Sequence, residues 1–387
     1  FPEDRIEMRI SQFKGLTQAL QVTGTRVLAE TSSPLGQLTV VESPQVPFRH
    51  EPGLSLRSSH VPPDQLAVFT DGDGISAITR LERPVEEQHW LGDVTSALPY
   101  QLLKRPKVTI LGAGAGADVL AALYHGAEQV DAVELNPQMV ALMRDRFTGY
   151  SGQLYDNERV RVSISEARGF VTRSKDKYDL VQVGLLDSFA VSGSGVQSLN
   201  ENYLYTVEAM QAYLEHLEPG GLLAITRWMK VPPRDSLKLA ATLIEAMRRN
   251  GADRPERQLA VIRSWNTVTL LARNGEFTDT EIPIIREFAR EKSFDTAYYP
   301  SMLMEEANRF NRLDQPWLYE GIRALTGEHA VRFMDDYKFH IEAATDDSPY
   351  FFRFFKWRVL PEVLELRKRG GAGLVEWGYL VLVATFV

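Results

Sequence analysis

One stretch constrains this chain more than any other: VTILGAGAGADVL, residues 108–120, followed by VDAVELNP, residues 130–137. The apolar run VTIL reads as a buried strand. Glycines at 112, 114 and 116 let the chain bend sharply after it and bring its backbone against a ligand, and the helix that follows presents N–H groups with no partner in their own helix. The next strand ends at Glu134, 20 residues beyond Gly114. An acid there can accept hydrogen bonds from both hydroxyls of a ribose. A strand, a glycine bend, a helix and a second strand are the opening of a parallel α/β sheet.

The spacing is G-x-G-x-G and not the G-x-G-x-x-G of dinucleotide sites, which favours a nucleoside without a pyrophosphate to cradle. S-adenosylmethionine or its decarboxylated form is therefore expected over NAD. Its contacts are expected from Gly112, Ala113, Gly114, Gly116, Glu134 and Leu135. In SISEARGF, after the next strand, Glu166 is placed to accept from an adenine amino group and Ala167 to offer a backbone N–H to the ring. The competing role for Glu166 is that of a solvated acid at a helix start, where the macrodipole favours it.

Around this centre the chain divides into segments. Residues 1–100 hold alternating runs, TRVLAETSS, QLTVVES and QLAVFTDGDGISAITRL, separated by Pro-Leu-Gly and Asp-Gly-Asp-Gly turns, and read as a small β-hairpin domain. Residues 101–275 continue the β/α alternation through RVRVSIS, YDLVQVG, the helix YLYTVEAMQAYLEHL, the strand LLAITRW and the helix SLKLAATLIEAMRRNG. They close with RQLAVIRS and TVTLLARN, an expected antiparallel hairpin turning near Trp265 and Asn266. The reading is α/β: a Rossmann-like S-adenosylmethionine-dependent methyltransferase fold with a small N-terminal β-domain. Residues 276–370 read as a helical extension. The apolar run LVEWGYLVLVATFV follows a basic stretch that includes Lys356, Arg358, Arg367, Lys368 and Arg369, so 371–387 reads as the start of a truncated transmembrane helix with the soluble part on the cytoplasmic side.

Charge and composition narrow the chemistry. A net charge of −8 gives no global pull toward phosphate backbones, so nucleic acid is not an expected partner, and a cationic small molecule suits the chain better. There is no cysteine, and none of the 7 histidines falls in HxxxH or HExxH spacing, so no metal site is expected.

The order of SPLGQLTVVES, FTDGDG, SALPYQLL, RPKVTILGAGAGADVL, YDLVQVGLLDSF and ENYLYTVEAMQAYLEHLEPGGLLAIT resembles spermidine synthase, the polyamine aminopropyltransferase family, over about residues 30–230. The resemblance is closest to its bacterial membrane-fused branch. It implies that an amine attacks the carbon beside the sulfonium and that methylthioadenosine leaves. The family's D-S-S-D-P loop, whose first Asp deprotonates the amine, corresponds to residues 184–188, where Gly184 takes the place of that Asp and Asp187 matches the second. Its Tyr-His-Glu run falls on Leu91, Gly92 and Asp93, with His89 nearby, and its Asp contacting the aminopropyl amine falls on Ala115.

Asp187 and Asp93 are accordingly the expected catalytic carboxylates, and Tyr203 and Tyr205 the expected lining of the acceptor pocket. Asp346 and Asp347 offer a further pair able to attract a polyamine. The expected partners are an amine substrate, a membrane and a second copy in a homodimer. Two other functions fit the same residues: methyl transfer from intact S-adenosylmethionine, favoured by Ala115, and a catalytically silent nucleoside- or polyamine-sensing domain, favoured by Gly184.

Overall fold

A computed structural model describes residues 10–186, 200–362 and 365. Asp187 and residues 371–387 lie outside them, so the expectations placed there have no structural counterpart here. No helix among the described residues is long and apolar enough to cross a membrane.

The N-terminal segment is a four-stranded antiparallel meander: β1 (Arg26–Ser33), β2 (Gly36–Glu42), β3 (Gln65–Thr70) and β4 (Gly74–Thr79). The β3–β4 turn is tight because Asp71 and Gly72 both adopt positive φ, the twist a two-stranded connection requires. The long β2–β3 connection does not stay with the meander. Its Gly53 N–H donates to Asn266, Ser55 N–H donates to the Asp93 carbonyl, and the Ser55 hydroxyl reaches the Lys292 carbonyl. A Cβ at Gly53 would stand 2.7 Å from the Thr267 hydroxyl and 2.8 Å from that of Thr95, so only glycine lets this loop lie so close.

The main sheet has eight strands: β5 (Lys107–Leu111), β6 (Gln129–Glu134), β7 (Val160–Ile164), β8 (Tyr178–Val183), β9 (Leu217–Trp228), β10 (Leu259–Arg263), β11 (Thr267–Arg273) and β12 (Asp295–Tyr298). Their spatial order is β12-β10-β11-β9-β8-β5-β6-β7, with β5 to β9 parallel and β10 to β12 antiparallel to their neighbours. The chain lays β6 and β7 on one side of β5, then crosses to lay β8 and β9 on the other. A crevice therefore opens at the carboxyl ends of β5 and β8, where such sheets bind ligands. Both faces are covered, and successive residues of one strand serve opposite cores: Val108 and Ile110 belong to one apolar cluster, Leu111 to the other.

The expected hairpin is present as β10 and β11. The segment 276–370, read as a helical extension, also contributes a strand, because β12 comes from it and pairs with β10. Ser293 turns the chain out of the helix Glu281–Lys292 in the left-handed conformation. Asp295 then accepts the backbone N–H groups of Arg309, Phe310 and Asn311 and an ion pair from Arg263, which holds this short strand in place.

Candidate functional site

The site begins at the glycine bend. All three glycines have positive φ, and each also meets a neighbour that a Cβ would displace: Leu186 at Gly112, the Ser76 hydroxyl at Gly114 and Leu154 at Gly116. The bend's donors are used within the protein. Gly112 and Ala113 N–H both bond the Val133 carbonyl, Ala115 N–H the Ser76 hydroxyl and Gly116 N–H the Ala113 carbonyl. Gly114 N–H bonds Glu134 Oε2 at 2.8 Å.

Glu134 is held from two sides, since Asn136 N–H also donates to its Oε1 at 2.8 Å. Each oxygen keeps a further acceptor position, so the carboxylate is a fixed pair of acceptors of the kind a vicinal diol needs. Leu135 beyond it is 49% exposed and free to cover a flat ring. Ala167 opens the helix Ala167–Arg173, where a backbone N–H has no acceptor within its own helix. The residues present thus fit an adenosine nucleoside at the crevice.

Glu166 is placed by the helix. Both its oxygens cap that helix, accepting from Arg168 and Gly169 N–H at 2.8 and 2.6 Å, and this local bond accounts for its position.

Three further expectations need correction. Asp93 is buried, with Lys292 Nζ at 2.7 Å on one oxygen and the Ser58 hydroxyl (2.6 Å) and His60 Nδ1 (2.8 Å) on the other. Burial alone would raise its pKa, but these partners outweigh it and hold the carboxyl below its ordinary range. It is also remote from the bend: the turn carrying it packs on Tyr124 and His125, at the opposite end of the helix Ala117–Tyr124. Asp93 therefore fastens the β2–β3 connection to the helix Glu281–Lys292, away from the glycine bend, and His89, exposed beside Tyr124, shares that remote location.

Tyr205 is a core residue. It is fully buried against Phe351, and its hydroxyl accepts from the Arg227 guanidinium at 3.0 Å, so it lines no pocket. Tyr203 is 43% exposed and donates to Glu201. Asp346 is held by Arg168 through two bonds of 2.7 and 2.6 Å and by the Thr206 hydroxyl, which makes it a clamp between elements and not a polyamine acceptor. Asp347 is exposed beside it.

Two carboxylates that the motifs did not mark stand at the crevice instead. Asp118, in the first turn of the helix Ala117–Tyr124, accepts Gln182 Nε2 at 2.7 Å, and Gln182 in turn accepts the Tyr100 hydroxyl at 2.7 Å. Burial raises the Asp118 pKa to about 6. Glu51 comes from the β2–β3 connection, and burial together with the Asp118 charge pushes it well above the usual carboxylate range. Next to Glu51, His50 faces Trp228 at the end of β9, and burial lowers its pKa. The available signal was compositional: Asp118 is the only charged residue in ADVLAALY.

Strand order and glycine bend define a Rossmann-like α/β domain. Residues 95–254 match the spermine/spermidine synthase domain. Polyamine aminopropyltransferase 2 of Hyperthermus butylicus is 25% identical over 147 residues, 37% of this chain and 45% of the relative. The polyamine aminopropyltransferase of Korarchaeum cryptofilum is 27% identical over 117 residues, 30% and 34% of the two chains. Through this central domain the chain is similar to the spermine/spermidine synthase family. It spans less than half the length of these curated relatives. Among solved structures, Thermotoga maritima spermidine synthase aligns with a TM-score of 0.43 at 16% identity, covering 71% of this chain and 80% of that one. A probable spermidine synthase from Corynebacterium glutamicum aligns with a TM-score of 0.46 at 15% identity, covering 67% and 86%.

Proposed function

We propose that this protein transfers an aminopropyl group from decarboxylated S-adenosylmethionine to an amine acceptor. The observation that carries the reading is the Glu134 carboxylate, held between the N–H groups of Gly114 and Asn136 at the sheet's switch point, inside the segment that matches the spermine/spermidine synthase domain. In this reading Glu134 takes the ribose hydroxyls, Leu135 covers the adenine and Ala167 N–H meets its ring edge. The donor supplies a sulfonium that activates the neighbouring carbon. The Asp118 carboxylate puts negative charge on the acceptor side of the crevice, beside Glu51, which suits a cationic amine. Membrane attachment through residues 371–387, with the domain on the cytoplasmic side, belongs to the same proposal and is supported by the apolar run and its basic flank.

A second reading has one specific support. Ala115 is 2% exposed and contributes only its backbone N–H, to Ser76, so no acid there marks the aminopropyl end of a decarboxylated donor. Methyl transfer from intact S-adenosylmethionine is the alternative. Incubation with each donor and 1,4-diaminobutane separates the two. Aminopropyl transfer predicts methylthioadenosine in step with a new triamine from the decarboxylated donor only. S-adenosylhomocysteine formed from the intact donor contradicts it.

A further inference from the structure

We infer that Asp118 receives the attacking amine nitrogen and takes its proton, occupying the space that a side chain at position 184 would otherwise fill. The inference rests on the aminopropyl-transfer reading and names the group that activates its acceptor.

The geometry is specific. Gly184 follows β8 directly, and its N–H donates to the Leu111 carbonyl at the end of β5. A Cβ built on Gly184 would stand 2.9 Å from Asp118 Oδ2 and 3.0 Å from the Gly112 carbonyl. The carboxylate thus lies across the gap between the ends of the two strands, beside the glycine bend, and it fits there because residue 184 has no side chain. Its two oxygens are not equivalent. Oδ1 takes the Gln182 amide, whose orientation is fixed by the Tyr100 hydroxyl on its carbonyl side, while Oδ2 has no donor among the described residues.

Glu51 supplies the second observation. It reaches the same crevice from the β2–β3 connection, and among the described residues its carboxyl has no hydrogen bond and no cation partner. Two carboxylates brought within each other's field in a deep crevice repel, and that repulsion is relieved when an ammonium enters between them. Acids built only to hold the fold are paired in this protein, as Asp93, Asp295 and Asp346 are. The titratable groups that feel the Asp118 charge are Glu51 on the β2–β3 connection, Tyr100 on the helix Leu98–Leu102 and Tyr155 on the turn Leu154–Asp156, with His125 stacked on Tyr100.

An alkylamine arrives as its ammonium form, since such groups have pKa values near 10. Its N–H proton passes to Asp118 Oδ2, leaving a lone pair on nitrogen. That pair forms a bond to the carbon beside the sulfonium, and the electrons of the broken carbon–sulfur bond stay on sulfur as methylthioadenosine departs. The new secondary amine remains protonated, and Asp118 returns its proton to solvent.

The test follows methylthioadenosine release from about pH 5 to 9 in wild type, Asp118→Asn and Gln182→Leu. Calorimetric titration of 1,4-diaminobutane into the methylthioadenosine-saturated proteins accompanies it. Asp118→Asn is expected to lower kcat by about 100-fold or more, in the range of general-base catalysis, and to weaken diamine binding, with methylthioadenosine affinity within about threefold of wild type. Gln182→Leu removes the hydrogen bond that Asp118 Oδ1 accepts and that lowers its pKa, so the acidic limb of its pH profile moves to higher pH. An unchanged rate and pH profile in Asp118→Asn overturns the inference. If wild type itself releases no methylthioadenosine, the transfer reading fails separately, and undiminished diamine binding in Asp118→Asn then overturns the role of Asp118. Should Asp118→Asn not fold, an unmoved acidic limb in Gln182→Leu overturns it.

Discussion

The two ends of the helix Ala117–Tyr124 each carry a carboxylate in a secluded position, and the two acids have opposite fates. At the C-terminal end Asp93 meets an ammonium, a hydroxyl and an imidazole, and its pKa falls. At the N-terminal end Asp118 has one amide partner, which does not offset its burial, and its pKa rises to about 6. Seclusion is common to both, so partners decide which acid holds the fold and which stays available for chemistry.

Substitutions sharpen that contrast. Asp93→Asn leaves Lys292 without its counter-charge and is expected to destabilise the protein by about 3 kcal/mol at neutral pH, by urea unfolding, with nucleoside affinity within about threefold of wild type. The folded pKa of Asp93 lies below its unfolded value. Its contribution is therefore present above the unfolded carboxylate pKa and is lost as pH falls through the folded one, so the cost of Asp93→Asn shrinks in acid.

Asp118→Asn is expected to have the reverse sign. A folded pKa raised to about 6 means that Asp118 contributes stability below about pH 4, and that this contribution is lost as pH rises through about 6. The variant should gain about 1–2 kcal/mol over wild type at pH 8 and little near pH 4, while losing activity. Equal stability of wild type and variant at pH 8 would remove the electrostatic distinction between the two ends. The smallest effect is expected at Tyr203→Phe, which deletes one exposed hydrogen bond to Glu201 and should change stability and diamine affinity by less than about 0.5 kcal/mol.

Much of the fold was legible because it is local. An apolar run, a glycine bend and a held acid 20 residues on lie within one β-α-β unit, and the β10–β11 hairpin is adjacent in sequence. The edge strand β12 was not, since DTAY lacks alternation and is held by Asp295 and Arg263 through tertiary contacts. The partners of the acceptor-side residues were not legible for the same reason. Motif position pointed to Asp93, but what Asp93 does is set by Lys292, 199 residues away, and what Asp118 does is set by Gln182, 64 residues away. Tyr205 likewise reads as a pocket residue until Arg227 and Phe351 are brought onto it by folding.

Calorimetric titration of methylthioadenosine into wild type and Glu134→Ala tests the nucleoside crevice most directly. The account predicts saturable one-to-one binding to wild type, weakened about 10- to 100-fold by loss of the carboxylate's hydrogen bonds. Equal affinity in the two proteins, or no binding to either, would contradict it.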